Sequence, residues 1–205
     1  VTNQRESVGI WDRKTGEPVC HSIVWQCNRA AGLCSSISDK NAAYLFETTG
    51  LRLSPFFSGP KIAWILENVP GVRKRAEHGE LCCGTMDSWV IFTLTGGKVH
   101  KTDISNAARM LLVNLKTLNW DAGALEIFNI PETLLPVICD SDSMFGETDF
   151  DGFLDHPIPI HADIGDSNAA LYAQGCHSRG DCMTGYGTGS SVMMNIGEKP
   201  IFSDL

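Results

Sequence analysis

At 205 residues, with 43% hydrophobic and 20% charged side chains, the chain has the make-up of a globular protein of one large domain or two small ones. Its net charge of −8 excludes a general nucleic-acid binder, because displacing counterions from a polyanion needs cationic surface. No apolar run approaches the roughly 20 residues that cross a bilayer, so no membrane partner is expected.

The eight cysteines scatter without the spacing of a disulfide framework, and no paired CxxC suggests a thiolate zinc site. Reduced thiols in a cytoplasmic protein are the expectation. The chain opens on Val1 and stops after an apparent strand, so it is expected to be cut from something longer.

Residues 7–25 predict a hairpin. Val8 and Ile10, then Val19 and Ile23, take β-type apolar positions around the turn-rich Asp12-Arg13-Lys14-Thr15-Gly16-Glu17-Pro18. Small and apolar residues over 28–45 predict a helix broken near Ser38-Asp39. Residues 50–59 read as a loop. Pro60 then opens a helix whose Ile62, Ile65, Leu66 and Val69 follow the helical repeat until Pro70-Gly71 stops it; Trp64 reads as packing.

The short run Arg73-Lys74-Arg75 reads as a solvated helix end. A helix over 86–94 stops at Gly96-Gly97, and a strand follows over 99–102. Asp121 caps a helix with Leu125 and Phe128 inward. Pro131 and Pro136 bracket a turn. Residues 139–159 are acidic and rich in turn formers, and read as a linker or crossover. Residues 160–205 run strand, Gly-Asp turn, helix over 169–176, then two strands around a Gly-rich turn.

Three constellations can carry chemistry. Arg5 stands beside Glu6, and Trp25 lies at the far end of the predicted hairpin. An arginine donates a fork of hydrogen bonds, a glutamate accepts from hydroxyls, and an indole face covers the C–H side of a polyol. A surface ion pair and a core tryptophan are the competing readings. Asp166 sits at a Gly-marked strand-to-helix junction, where a carboxylate serves as an N-cap. It serves equally as a general base, taking the proton of a hydroxyl whose oxygen attacks a phosphoryl group. Third, Thr184-Gly185-Tyr186-Gly187-Thr188-Gly189-Ser190-Ser191 lets backbone N–H groups approach a phosphate, although it lacks a Walker lysine and a tight hairpin explains it as well. Asp140-Ser141-Asp142 departs from a calcium loop at Met144, and prolines between His156 and His161 exclude a helical metal pair.

Taken in order, these residues resemble the FGGY carbohydrate kinases, on their glycerol-kinase-like side. The likeness runs through Thr2-Asn3-Gln4-Arg5-Glu6, Ile23-Val24-Trp25-Gln26-Cys27, Pro55-Phe56-Phe57-Ser58-Gly59 and Gly84-Thr85-Met86-Asp87-Ser88-Trp89. It continues through Thr102-Asp103, Ser105-Asn106-Ala107, Gly165-Asp166, Ala169-Ala170-Leu171 and Tyr186-Gly187-Thr188-Gly189.

The resemblance implies an α/β, actin-like ATPase (ribonuclease-H-like) fold. Residues 1–158 would be part of the first, substrate-binding domain, and residues 159–205 the start of the second, ATP-binding domain. It implies a polyol or sugar substrate whose hydroxyls are bound by Arg5 and Glu6 and whose carbon skeleton packs on Trp25. Asp166 would be the base and a ligand of Mg²⁺, and Gly187 and Thr188 would lie near the transferred phosphate of ATP.

Phe56, Ser167 and Ser191 depart from the family's usual Tyr, Gln and Phe at substrate-lining positions. Each neutral hydrogen bond removed costs about 0.5–1.5 kcal/mol, so a substrate larger than, or different from, glycerol is expected. The full-length protein is expected to be a cytoplasmic homo-oligomer, a dimer. The family's Asp-Gly-Thr phosphate loop would precede Val1 and its adenosine site would follow Leu205, so the chain alone is expected to be inactive. A pentose or tetritol kinase, and a non-catalytic sugar-binding regulator on the same scaffold, are the rival readings.

Overall fold

The computed structural model describes residues 1–187 and 190–201. Strand β1 (Thr2–Asn3) leads into β2 (Val8–Asp12), which is buried from Val8 to Trp11. The hairpin expected over 7–25 forms, but its return arm is held by isolated bridges, Val8 to Ile23 and Trp11 to Pro18. A proline has no N–H to give a ladder, so that arm stays irregular.

Helices α1 (Ala31–Ser36) and α2 (Asp39–Thr49) part at Ser38, whose hydroxyl accepts from the Asn41 amide as an N-cap. Helix α3 (Ser58–Asn68) buries Ile62, Ile65 and Leu66. Arg73-Lys74-Arg75 belongs to a short helix, α4 (Val72–Glu77), with Lys74 and Arg75 in its last turn and Lys74 exposed, as a solvated helix end would be. Two of its cations have internal partners: Arg75 meets Asp12 at 2.5 Å, and Arg73 donates to the Asn129 carbonyl at 2.6 Å.

Strand β3 (Leu81–Thr85) pairs antiparallel with β2 and is buried at every position. Helix α5 (Met86–Leu94) follows at once, and β4 (Lys101–Asp103) leads into α6 (Ile104–Ala107). A small antiparallel pair, β5 (Val113–Asn114) and β6 (Asn119–Trp120), precedes α7 (Ala122–Phe128), capped by Asp121 as expected. After a 3-10 turn at Glu132–Leu134, β7 (Val137–Cys139) pairs parallel with β4. The main core joins Val8 and Ile10 of β2, the inner face of α3, Leu81 and Cys83 of β3, and Leu125 and Phe128 of α7.

The acidic stretch over 139–159 is anchored at two buried residues, Phe145 and Thr148, and is mostly exposed elsewhere. It contains β8 (Glu147–Thr148) and β9 (Ile158–Pro159), and Phe145 is buried against Ile91 and Ile160. Strand β10 (Ile164–Gly165) then returns to pair parallel with β1, setting Thr2 opposite Ile164 and Asn3 opposite Gly165. Helix α8 (Asp166–Ala173) begins three residues before the sequence pattern suggested, and β11 (Cys182–Tyr186) and β12 (Ser190–Met194) form an antiparallel hairpin. All eight cysteines are free thiols, and no helix among the described residues is long and apolar enough to cross a membrane.

Candidate active site

The β1–β10 pairing brings residues more than 160 positions apart to one edge. Arg5 and Glu6 follow β1 in a tight turn closed by the Ser7 amide on the Arg5 carbonyl at 2.8 Å. Glu6 has φ 65°, a left-handed backbone that costs a side-chain-bearing residue on the order of 1 kcal/mol. The two side chains diverge and do not pair with each other. Glu6 is buried, and its Oε1 accepts from Arg109 Nε at 2.6 Å. Arg5 reaches α8, where its Nη1 donates to Asn168 Oδ1 at 2.7 Å. Its stem lies over Gly165, where a Cβ would stand 2.4 Å from Arg5 Cδ. Burial, then the charge of Arg109, lowers the Arg5 pKa, while Glu6, Asp166 and Asp103 oppose the shift.

An aromatic wall adjoins this pair. Trp25 is half-buried, with its ring 5.7 Å from that of Phe56 at 70°. Phe56 meets Phe57 edge-on at 5.4 Å, and the Arg109 guanidinium lies 4.9 Å from the Phe57 centroid and 5.9 Å from that of Phe56. Lys61 stands beneath, fully buried, donating to the Phe56 and Phe57 carbonyls. Burial pulls its pKa down to about 8, against the pull of Glu6. One face therefore offers apolar cover, and its rim offers donors and a carboxylate.

Asp166 is the first residue of α8, and Gly165 holds the N-cap position, so the carboxylate is not the cap. Its Oδ1 accepts from the Ser167 amide at 2.6 Å and from the Ser167 hydroxyl at 3.1 Å. Asp166 is exposed, and no described residue donates to Oδ2. Among the described residues no cluster of three His, Cys, Asp or Glu side chains can hold a metal. A Mg²⁺ here would take Asp166 as a lone protein carboxylate, which suits an ion that fills its shell with phosphates and water. Gly187 and Ser191 are exposed in the β11–β12 hairpin, and no hydrogen bond among the described residues joins them to Arg5 or Asp166. Thr188 lies outside the described residues.

A buried polar network underlies the pairing. Asp103 caps α6, accepting from the Ser105 and Asn106 amides at 2.9 Å each and from the Ser141 hydroxyl at 2.7 Å. Asn3 donates to Asp87 and to Asn106, each at 3.1 Å, and the Gly165 amide donates to the Ser105 hydroxyl at 2.8 Å. Asp163 joins this network without a donor to either oxygen. Burial, then repulsion by Asp87 and Asp103, pushes its pKa up to about 9.

Sequence reasoning missed Arg109, Lys61 and Asn168 as parts of the site. Asn168 is only two positions from Asp166 and faces Arg5. Arg109 lies just beyond the Ser105-Asn106-Ala107 motif, but only the fold reveals its contact with a residue 103 positions away.

The model of the N-terminal domain of the FGGY family of carbohydrate kinases matches residues 1–173. The chain belongs to this family. It is 52% identical over its whole length to glycerol kinase 1 of Thermotoga maritima, and covers 42% of that protein. It is 48% identical over 97% of its length to glycerol kinase of Desulfitobacterium hafniense, covering 40% of it. Among solved structures, Plasmodium falciparum glycerol kinase with ADP superposes with a TM-score of 0.93 at 38% identity, over 99% of this chain and 40% of that one. A ligand-bound xylulose kinase from Lactobacillus acidophilus matches with a TM-score of 0.79 at 23% identity, over 93% of this chain and 39% of its own, a likeness of fold. The fold of this FGGY chain is thus the α/β, actin-like ATPase fold, and the chain spans about two fifths of the length of these relatives.

Proposed function

We propose that the full-length protein phosphorylates a hydroxyl of glycerol or a related polyol or sugar, with ATP as donor and Asp166 as general base. The observation that carries this reading is the convergence on one edge of Arg5, Glu6 and the Trp25–Phe56 wall with the first turn of α8. Arg5 donates to acceptor hydroxyls and Glu6 accepts from them. Trp25 and Phe56 cover the C–H face. Asp166 Oδ2 takes the proton of the reacting hydroxyl as its oxygen bonds to the terminal phosphorus of ATP and the bond to ADP breaks. Mg²⁺, when bound, neutralises charge on the phosphate oxygens, and Asp166 is the residue on this chain that would hold it. Gly187 and Thr188 are proposed to border the transferred phosphate. We place the domain division at residues 158–159. Phosphoryl transfer needs donor, metal and acceptor held together, so the chain alone, at two fifths of its relatives' length, is expected to lack turnover.

Asp166→Asn in the full-length protein tests the reading. Turnover should fall by about 10²–10⁴ while the acceptor still binds. Undiminished turnover would remove Asp166 from the chemistry, and acceptor binding with no turnover in the wild type would favour a sugar-binding regulator.

A different acceptor within the same class is favoured by Phe56, which has no hydroxyl to offer, and by Ser167, whose hydroxyl is spent on Asp166. A panel from glycerol through tetritols to pentoses decides between them. Tight phosphorylation of glycerol alone would sink the larger-substrate reading.

A further inference from the structure

Glu6 sits at the centre of the turn closed by the Ser7 amide, and its side chain is fixed from outside that turn. Its backbone is left-handed, its carbonyl accepts from the Ser58 hydroxyl at 3.1 Å, and its side chain is 9% exposed. A buried carboxylate without a partner is costly, and a free glutamate side chain has several rotamers to choose from. Arg109 answers both problems with one bond, Nε to Oε1 at 2.6 Å. No described residue donates to Oε2, which leaves that oxygen to accept a hydrogen bond from a hydroxyl.

Arg109 is itself fixed. The Gly59 amide donates to the Met110 carbonyl at 2.8 Å, and a Cβ at Gly59 would stand 2.9 Å from that oxygen. Only a glycine lets α3 begin so close to the backbone next to Arg109. The same start of α3 follows Phe56 and Phe57, the rings over which the guanidinium lies. A planar, delocalised guanidinium can stack on a ring while its Nε donates sideways, which an ammonium cannot reproduce.

We propose that Arg109 is a positioning residue for acceptor binding: it fixes Glu6 so that one carboxylate oxygen is committed to the protein and the other to a substrate hydroxyl, and it registers that carboxylate against the Phe56 wall. The proposal rests on the reading of Glu6 as an acceptor ligand. It adds that the discrimination of hydroxylated substrates depends on a residue 103 positions away in sequence.

The test uses the full-length protein with glycerol and a four-carbon polyol as acceptors. Arg109→Gln should raise the acceptor KM by about tenfold to a hundredfold, with kcat and the KM for ATP changed by less than about threefold. Arg109→Lys keeps the charge but not the planar Nε donor, so it should recover only part of the loss. Glu6→Gln combined with Arg109→Gln should be no worse than Glu6→Gln alone, because both changes remove one interaction. Arg109→Lys, the milder change, serves where Arg109→Gln fails to fold. An acceptor KM within about twofold of wild type in Arg109→Lys and Arg109→Gln, or losses that simply add in the double variant, would overturn the proposal. A wild-type protein that phosphorylates neither polyol nor any sugar would instead sink the functional reading, and the proposal with it.

Discussion

Glu6 and Asp163 flank the same pair of strands, one just after β1 and one just before β10, and both are buried carboxylates. Their surroundings differ. Glu6 has Arg109 at 2.6 Å and Lys61 close enough to act on. Asp163 has no donor, and repulsion by Asp87 and Asp103 outweighs the attraction of the Val1 ammonium. Burial alone therefore does not make a useful carboxylate. Glu6 faces a cation and keeps an oxygen for a ligand. Asp163 faces like charges, so it holds its proton. The polar network around Asp163 supports the pairing that carries Arg5 toward α8, so the two regions are linked by geometry while differing in charge.

The largest effect expected comes from breaking that geometry at Gly165. A Cβ there would meet Arg5 Cδ at 2.4 Å and Cγ at 2.8 Å, the middle of the side chain rather than its mobile end. Gly165 has φ −60°, so alanine fits the backbone, and the three atoms nearest its Cβ all belong to Arg5. Gly165→Ala should raise the acceptor KM by about a hundredfold, the scale of a displacement near 1 Å in a binding group. Melting temperature should move little. An unchanged KM would mean that Arg5 does not touch the acceptor.

A smaller effect, on stability, comes from Asp163. The folded chain holds this proton up to about 9, whereas the unfolded chain releases it near the ordinary 3.8. The folded state binds the extra proton between those values, so its stability falls as pH rises through that window. Asp163→Val removes the titrating carboxyl and with it this pH dependence. Urea melts between pH 5 and pH 8 should show a falling wild-type stability and a flatter variant. Equal slopes would show that Asp163 finds a donor in the full-length protein.

Much of the fold was legible in the sequence because its signals are local. The break at Ser38, the stop after α5 and the Asp121 cap each need only a few neighbouring residues to be read. Strand β3 was not legible: its five residues are buried on both faces, so Leu81-Cys82-Cys83 show no alternation. The acidic composition of residues 139–159 concealed Phe145, which is fully buried. At the site, Arg5, Glu6, Trp25 and Asp166 were singled out by residue chemistry and given roles by a resemblance, and the fold then set Glu6 beside a cation and Trp25 in an aromatic wall. Arg109 and Asn168 act through contacts across long stretches of chain, whereas Lys61 meets carbonyls four and five residues away and is marked only by its burial.

The smallest effect should separate the two regions by pH alone. Lys61 is pulled from its ordinary 10.5 to about 8 by burial, with Glu6, Cys27 and Cys34 pulling the other way. Between these values the unfolded chain binds the proton that the folded chain has lost, so stability rises with pH there. This slope opposes that of Asp163, and the two windows overlap only between about 8 and 9. Lys61→Met should change stability by less than about 1 kcal/mol at pH 7, because relief from burying an ammonium is offset by leaving the Phe56 and Phe57 carbonyls without their donor. Its signature lies higher: the rise between pH 9 and pH 10 should disappear, and a fall should emerge between pH 8 and pH 9, where the two slopes otherwise oppose each other. Asp163→Val should do the reverse, leaving the Lys61 rise exposed. If both variants keep the wild-type profile, neither group titrates inside the fold, and the contrast drawn between the paired and unpaired carboxylates loses its electrostatic basis.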